Sequence, residues 1–542
     1  MKAGEIAHSI TRGAFYLALE KAAALLSGVA YFALLLRWLG PTKYGIMTLA
    51  LSFTGLATMA TGNFEVFLER YAAEYEAHGR LLTLRRAHLL ALVLKLGLGL
   101  VAAALLVALA PLLAVQFKTP LLAMLVPMLA LTVAFDGFST TGRATLYGLQ
   151  RFRWVSGIAV LFHIVKTVMV GALWGARQGL PQLAIGLTAL AVAQGAASTF
   201  VPLWLLRRAE DPVGESPARP PVPARERPAP DDRTARGLMR SMAAYCVPLL
   251  GARVTFMSGQ NLSKIVLGKL FDTALLGYFS FAFQTVERFV ELLYTVPSSL
   301  LPSLTRLVAR DERKRLGAVF DQALRLISVA ACALSFGLFV FARELTLLVG
   351  SPLFEPAIPL VRILALVPVA RTAQQPLTMV FQAMRLPGTV LRLAILKFAV
   401  EFGSYFALLP VLGIYGAAWA NLAGALASYV GASLVMRRLI PEAPGRSSRT
   451  AVAARAVGLL AVLLLVALLC DWKLGHAMSL ALRILLVPVG VLGVFALELV
   501  QRRDLEKLAA IRLRWGPARQ MRDWVVAGAA RIAHVAEPER IL

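Results

Sequence analysis

RRAHLLALVLKLGLGLVAAALLVALAPLLAVQFK, residues 85 to 118, opens on two arginines, runs apolar from Ala87 to Ala114 with Lys95 as its one formal charge, and closes on a lysine. A helix rises about 1.5 Å per residue and a bilayer core is about 30 Å thick, so such a run reaches across. Inside that core each backbone amide must be paired within its own segment, which makes helix the available form. Working outward, similar runs fall at about 12–38, 45–66, 120–148, 153–175, 183–206, 238–267 and 275–302. They continue at about 318–341, 357–384, 388–410, 413–436, 451–470 and 478–500, fourteen in all. The expected fold class is an all-α integral membrane protein.

The charges confirm the count. One alternate set of gaps, from Lys2 and Arg12 through Arg85 and Arg86 to the C-terminal tail, holds roughly 37 Lys and Arg. The opposite set, with Arg37, Lys43, Lys118, Arg177, Lys269, Arg343 and Lys473, holds about 7. Cytoplasmic loops keep positive charge, so both termini are expected in the cytoplasm, and one miscounted span would invert every later gap. A hydrophobic content of 58% exceeds that of soluble domains. The net charge of +26 is spread over short loops, which suits anionic lipid headgroups and not a nucleic acid. Cys246, Cys332 and Cys470 lie within apolar runs, where a thiol acts as a small hydrophobe. The N-terminal run has no small-residue cleavage site and reads as the first span.

Residues 208–236, which include VGESPARPPVPARERPAPDD, favour extended conformation and divide the chain. The halves echo one another. LVPMLAL at 125–131 matches LVRILAL at 360–366, LERYAA at 68–73 resembles LTRLVA at 304–309, and Gly45 answers Gly277. The expected organisation is a six-helix bundle over 1–207, a Pro- and Arg-rich linker over 208–236, a second six-helix bundle over 237–437, two added helices over 438–500 and a basic amphipathic tail over 501–542. Repeated bundles enclosing a polar cavity are a common transporter plan. The tail carries Trp515 and Trp524, and Met521, Trp524, Val525 and Ile532 share a helical face, left partly bare by Gly528, that suits an anionic leaflet; a solvated tail is the alternative.

Chemistry must come from polar residues inside the spans, because a charge at bilayer depth costs at least a few kcal/mol and needs a partner or water. In the eighth span, Ser280, Gln284, Glu287, Arg288, Glu291 and Thr295 recur at three- and four-residue steps, a wet stripe on one face. The seventh offers Arg253, Gln260, Asn261 and Lys264; the first offers Tyr16, Glu20, Ser27 and Tyr31 beside Lys21. Asp136, Thr140, Arg143 and Tyr147 lie in the fourth, and Arg371, Gln374, Gln375 and Thr378 in the tenth. A purely bracing role stands beside each functional one: Glu20 with Lys21, and Lys397 with Glu401, can neutralise each other. Lys95 and Lys166 read as snorkelling. His8, His78, His88, His163, His476 and His534 show no metal or protease spacing, and there is no GxxxxGK[ST] phosphate loop.

GAFYLALEKAAALLSGVAYFALLLRWLGPTKYGIMTLALSF at 13–53, a long helix and a turn ending in Gly45 before a small-residue-rich helix, and LLGYFSFAFQTVERFVELLYTVPSSLLPSLTRL at 275–307 carry a family likeness. The chain resembles the polysaccharide-transport, Wzx-like flippase branch of the multidrug/oligosaccharidyl-lipid/polysaccharide exporter superfamily, from about residue 10 to 440. The resemblance implies movement of an undecaprenyl-diphosphate-linked oligosaccharide across a bacterial inner membrane, with a lipid-linked oligosaccharide as substrate and other polysaccharide assembly proteins as partners. It implies a monomeric transporter and no enzyme, cofactor, metal or catalytic residue. Arginine suits diphosphate geometry. Lys21, Arg143, Arg253, Lys264, Arg288 and Arg371 are therefore expected at the substrate, with the amides of Gln260, Asn261, Gln284, Gln374 and Gln375 at its sugars. Glu20, Asp136, Glu287 and Glu291 are the expected coupling groups for a proton or Na⁺. Two other classes stay open: a cation-coupled multidrug efflux transporter, which would favour carboxylates and aromatic surfaces, and a membrane polymerase or ligase, which would need acid and base groups in a sizeable external loop.

Overall fold

The structure is a computed structural model; it describes residues 3–77, 79–207, 234–298, 304, 307–308, 312–384, 386–439, 449–473 and 476–497. The stretch 208–233 and the tail from 498 onward lie outside the described residues, and with them the linker and the interfacial helix expected there. Among the described residues sixteen α-helices follow in order: α1 Ala3–Ala57, α2 Glu65–Ala77, α3 Leu81–Gln116, α4 Leu122–Gly148, α5 Phe152–Gly175, α6 Leu180–Leu205, α7 Ala235–Leu270 and α8 Thr273–Ser298. Then come α9 Arg313–Val340, α10 Ala342–Val349, α11 Ile358–Leu364, α12 Val367–Ala383, α13 Pro387–Leu412, α14 Ile414–Leu439, α15 Arg449–Lys473 and α16 His476–Ala496. No strand occurs among the described residues.

Among the described residues each of the fourteen expected stretches falls largely on helix, with two adjustments. The first two share α1, which breaks at Gly40 (φ 64°) and Pro41, five residues before the expected turn at Gly45. Glycine tolerates positive φ, and a proline next to it has no amide to continue the ladder. The stretch 357–384 is a bent pair, Pro352–Leu364 and Val367–Ala383, at 43°. Among the described residues eight helices are long and apolar enough to cross a membrane by length and composition, or nine with the bent pair; Ala454–Cys470 and Ala481–Val494 are shorter apolar helices. α7 and α8 are not among the eight, since polar residues interrupt both.

Exposed apolar faces agree with a lipid surround. On α3, Val101, Leu105, Leu112 and Val115 follow at helical spacing and are 53 to 74% exposed. On α5, Leu161, Ile164 and Val168 do the same. A continuous apolar stripe of that length in water would drive association, whereas acyl chains solvate it. This is a multi-pass membrane protein.

Two compact units appear: Met1–Ser280 with Leu348–Phe354, and Phe281–Leu347 with Glu355–Leu542. In the first, α3 packs along α4, α4 along α6, and α1 along α5 and α7. The short segment Leu348–Phe354 docks at the break in α1. Arg37 donates to the Leu348 carbonyl at 2.7 Å, and Phe354 packs edge-on against Tyr44 and Tyr278. In the second unit, α13 packs along α14, α9 against α12 and α15, and α15 against α16. Arg483 of α16 is almost fully buried and donates to the Val340 carbonyl at the end of α9 (2.6 Å), with Glu344 at 3.5 Å. An orphan carbonyl at a helix C-terminus is thereby satisfied by a cation.

Gly45 and Gly277 lie against each other's segments. A Cβ on Gly45 would lie 1.8 Å from the Thr273 carbonyl oxygen, and one on Gly277 would lie 2.1 Å from that of Pro41. The offset of 232 that relates Gly45 to Gly277 also relates Pro41 to Thr273, so the contact is reciprocal. Backbone against backbone at that distance admits no side chain. Gly45→Ala or Gly277→Ala is expected to destabilise the purified protein by about 1–3 kcal/mol as an overpacking change. Gly97→Ala, at an open exposed position of α3, is expected to be neutral or to raise the melting temperature slightly. Thermal unfolding in detergent reads both.

Candidate functional site

Among the described residues, polar networks lie inside the helices of each unit. In the first, Glu20 of α1 is buried and accepts from Arg143 Nη2 of α4 at 2.8 Å and from the Ser156 hydroxyl of α5 at 3.3 Å. The partner of Glu20 is therefore Arg143 and not Lys21, which is exposed and has no ion pair among the described residues. Consecutive helical residues point about 100° apart, so Lys21 cannot follow Glu20 inward. The Arg143 side chain is 53% exposed, so one edge of its guanidinium holds Glu20 while the rest stays accessible.

One turn further along α4, Thr140 donates to the Asp136 carbonyl (2.9 Å) and accepts from Lys95 Nζ of α3 (2.8 Å). Lys95 also pairs with Glu65 of α2 at 2.6 Å. Its side chain is wholly enclosed, which overturns the snorkelling reading. Gly137 makes the passage: a Cβ there would stand 2.7 Å from Lys95 Cβ. Glu69 lies on α2, outside the spanning helices. Burial first, then Glu65 nearby, push its carboxyl above the usual range, and Arg143 pulls it back. Charges thus run from Glu20 through Arg143, Glu69 and Glu65 to Lys95. At the same end of the unit, Arg70 lies over the rings of Tyr71 and Tyr245 at 5.3 and 5.1 Å.

α7 contributes Asn261 and Lys264, both buried. A Cβ on Gly55 of α1 would sit 2.7 Å from Asn261 Oδ1, so the glycine leaves room for the amide. Arg253 and Gln260 lie on α7, with side chains outside the described set.

In the second unit the α8 stripe is met by α12. Arg371 donates to Glu287, and each side chain is about nine-tenths buried. The sequence leaves Glu287, Arg288 and Glu291 unbalanced on their own helix; the balancing cation for Glu287 is Arg371, 84 residues on. Arg288 and Glu291 approach to 3.4 Å with both more than half exposed, a geometry of small energetic weight. Gln374 donates to Ser428 of α14 at 2.8 Å, and Gln284 and Gln375 are half-buried.

Lys397 and Glu401 of α13 pair at 2.7 Å. Glu401 also accepts from Asn421 of α14 (2.8 Å) and Tyr405 (3.3 Å). Three donors on a buried carboxylate make it a bracing point between α13 and α14. Among the described residues no three His, Cys, Asp or Glu side chains gather as a metal site.

Residues 10–308 match the family described as "Polysaccharide biosynthesis protein", more than half of the chain. The chain belongs to that family. Within the family's range falls every member of the first network and the stripe of α8. A curated relative, the probable flippase AglR of Haloferax volcanii, is 25% identical over 186 residues. That alignment covers 34% of this chain and 38% of the relative's length. Among solved structures, an inward-facing MATE-family multidrug resistance transporter of the MOP superfamily has a TM-score of 0.61 at 14% identity, covering 77% of this chain and 94% of its own. The lipid II flippase MurJ, inward closed, has a TM-score of 0.60 at 13% identity, covering 92% and 100%. At such identities these two show a shared fold and no more.

Removing one partner of an enclosed ion pair leaves an uncompensated charge. Glu65→Ala, which strands Lys95, is expected to cost about 3–5 kcal/mol, and Glu65→Gln combined with Lys95→Met to recover most of it. Unfolding of the detergent-purified variants measures the difference.

Proposed function

We propose that this protein is a flippase that moves a lipid-diphosphate-linked oligosaccharide from the inner to the outer leaflet of a bacterial plasma membrane, for surface or exported polysaccharide. The observation that carries the proposal is the family match over residues 10–308 in a chain whose helix interiors hold guanidinium, ammonium and amide groups. The name of the Haloferax volcanii relative and the fold shared with a lipid II flippase support the same reading.

A diphosphate brought into a membrane needs cations, and arginine matches its oxygens through paired N–H donors. Arg143 is the best placed of the described candidates, because its guanidinium is both anchored and accessible. Lys21, Lys264, Arg253 and Arg288 are further candidates; Asn261, Gln260, Gln284 and Gln375 suit sugar hydroxyls. Arg371 and Gln374 are engaged by Glu287 and Ser428, so their part is to hold α12 against its neighbours.

Coupling follows from a competition. Glu20 and a diphosphate both require Arg143, so substrate arrival draws the guanidinium from Glu20 and leaves a buried carboxylate to accept a proton or Na⁺. Asp136 and Glu291 are secondary sites for the same exchange. With no phosphate loop in the sequence, an ion gradient or product consumption supplies the driving force. Both termini face the cytoplasm and the protein works as a monomer by alternating access.

The test is transfer of an undecaprenyl-diphosphate-linked oligosaccharide in proteoliposomes, read as exposure of its sugar to an impermeant reagent. Arg143→Gln should lose transfer at least about tenfold, the scale of one charge-assisted contact. Glu20→Gln/Arg143→Gln, which leaves no stranded carboxylate, should fold normally and stay inactive. Uptake of an organic cation such as ethidium without glycan transfer would assign the protein to multidrug efflux instead.

A further inference from the structure

A cavity of about 660 Å³ opens at one end of the first unit, between the turn joining α3 to α4 and the turn joining α7 to α8. It lies among the gaps poor in Lys and Arg, yet two of the few lysines on that side, Lys118 and Lys269, line it. Lys269 is held in place: its Nζ donates to the carbonyl and the side-chain oxygen of Gln116 at 2.6 and 2.9 Å and lies 5.7 Å from the centre of the Phe117 ring. One ammonium proton is left over, and the group is exposed. Lys118 is exposed and has no ion pair among the described residues; its backbone is fixed at φ 50° by the tight turn.

The cavity's carboxylate, Asp272, is committed to α8, where Oδ1 accepts from the Leu275 amide at 2.7 Å. Thr119 turns its hydroxyl to the Phe117 carbonyl. The amides that open α4 are taken up by the carbonyls of Thr119, Pro120 and Leu121, so the positive charge of the cavity is that of its two lysines.

The remaining walls are apolar: Ile46, Phe117, Pro120, Leu121, Leu270 and Phe271. Leu121 and Leu270 are 40 and 60% exposed, and the adjoining surface of α3 carries the exposed Leu112 and Val115. A pair of ammonium groups with an apolar floor continuous with the lipid-facing stripe fits a phosphate with a hydrocarbon tail, not a water-borne anion.

We propose that this cavity binds the headgroup of an anionic phospholipid in the leaflet opposite the basic loops, with Lys118 and Lys269 on its phosphate and Leu121 and Leu270 against its glycerol and first methylenes. The bound lipid would lie beside the crossing of α1 and α8, since Ile46 forms one wall and Gly45 beside it crosses the start of α8. It would therefore brace that crossing. The site is separate from the substrate residues proposed above and stands or falls without them.

The experiment is a titration of the full-length protein in a neutral detergent, read by native mass spectrometry and by melting temperature. Phosphatidylglycerol is expected to be retained and to raise the melting temperature, and phosphatidylcholine to do neither. Lys118→Gln/Lys269→Gln should weaken phosphatidylglycerol binding at least about tenfold, whereas Arg85→Gln/Arg86→Gln, in a gap of the opposite set, should leave this retained lipid in place. Leu121→Trp keeps both lysines and fills the cavity, so it should also expel the lipid from a protein that still folds. Equal retention by wild type and both cavity variants would overturn the proposal, as would equal binding of phosphatidylcholine. Stabilisation by inorganic phosphate to the same extent would overturn the lipid as occupant.

Discussion

A charge cannot stand alone at bilayer depth, and that constraint organises the helices of both units. Lys95 is reached by Glu65 from a helix that is not itself a span, Glu20 by Arg143, Glu287 by Arg371, and Glu401 by Lys397. Three of those four pairs join different helices. Each ties two helices at one register, since a slip of a single residue would strand both ions. Packing by small residues supplies the close approach that makes such pairs reachable: Gly137 under Lys95, and Gly424, where a Cβ would come within 2.8 Å of Glu401 Cβ.

The pairs differ in what they leave accessible. Lys95 is enclosed on all sides and Glu401 is saturated by three donors, which suits structure. Arg143 holds its carboxylate with one edge and offers the other, and its partner Glu20 is buried enough that losing the contact has consequences. That asymmetry, a half-exposed cation on a buried acid, separates a group able to exchange partners from one that only braces. Arg288 and Glu291 lie at the opposite extreme, loosely matched and open on both sides.

Hydropathy and charge alternation were sufficient for the all-α, multi-span architecture, because span length and loop bias are imposed by the bilayer and not by tertiary detail. Partnerships were harder to read. Glu20 sits next to Lys21 in the chain, but neighbours in sequence diverge around a helix, and the true partner is 123 residues away. Lys95 looked like a residue bound for the interface, since its mate lies on α2, whose mixed composition gives no span signal. The stripe of α8 was visible from its periodicity, whereas Arg371 as its counter-ion required coordinates. The same polarity kept α7 and α8 from qualifying as spans on composition, although both fall where the charge pattern demands helix.

The reciprocal meeting of Gly45 with Thr273 and of Gly277 with Pro41 couples the two positions. A methyl group on either glycine meets the backbone of the facing segment, so room for it can come only from a shift of the crossing that both share. Any such shift would reach the cavity wall at Ile46, next in the chain to Gly45.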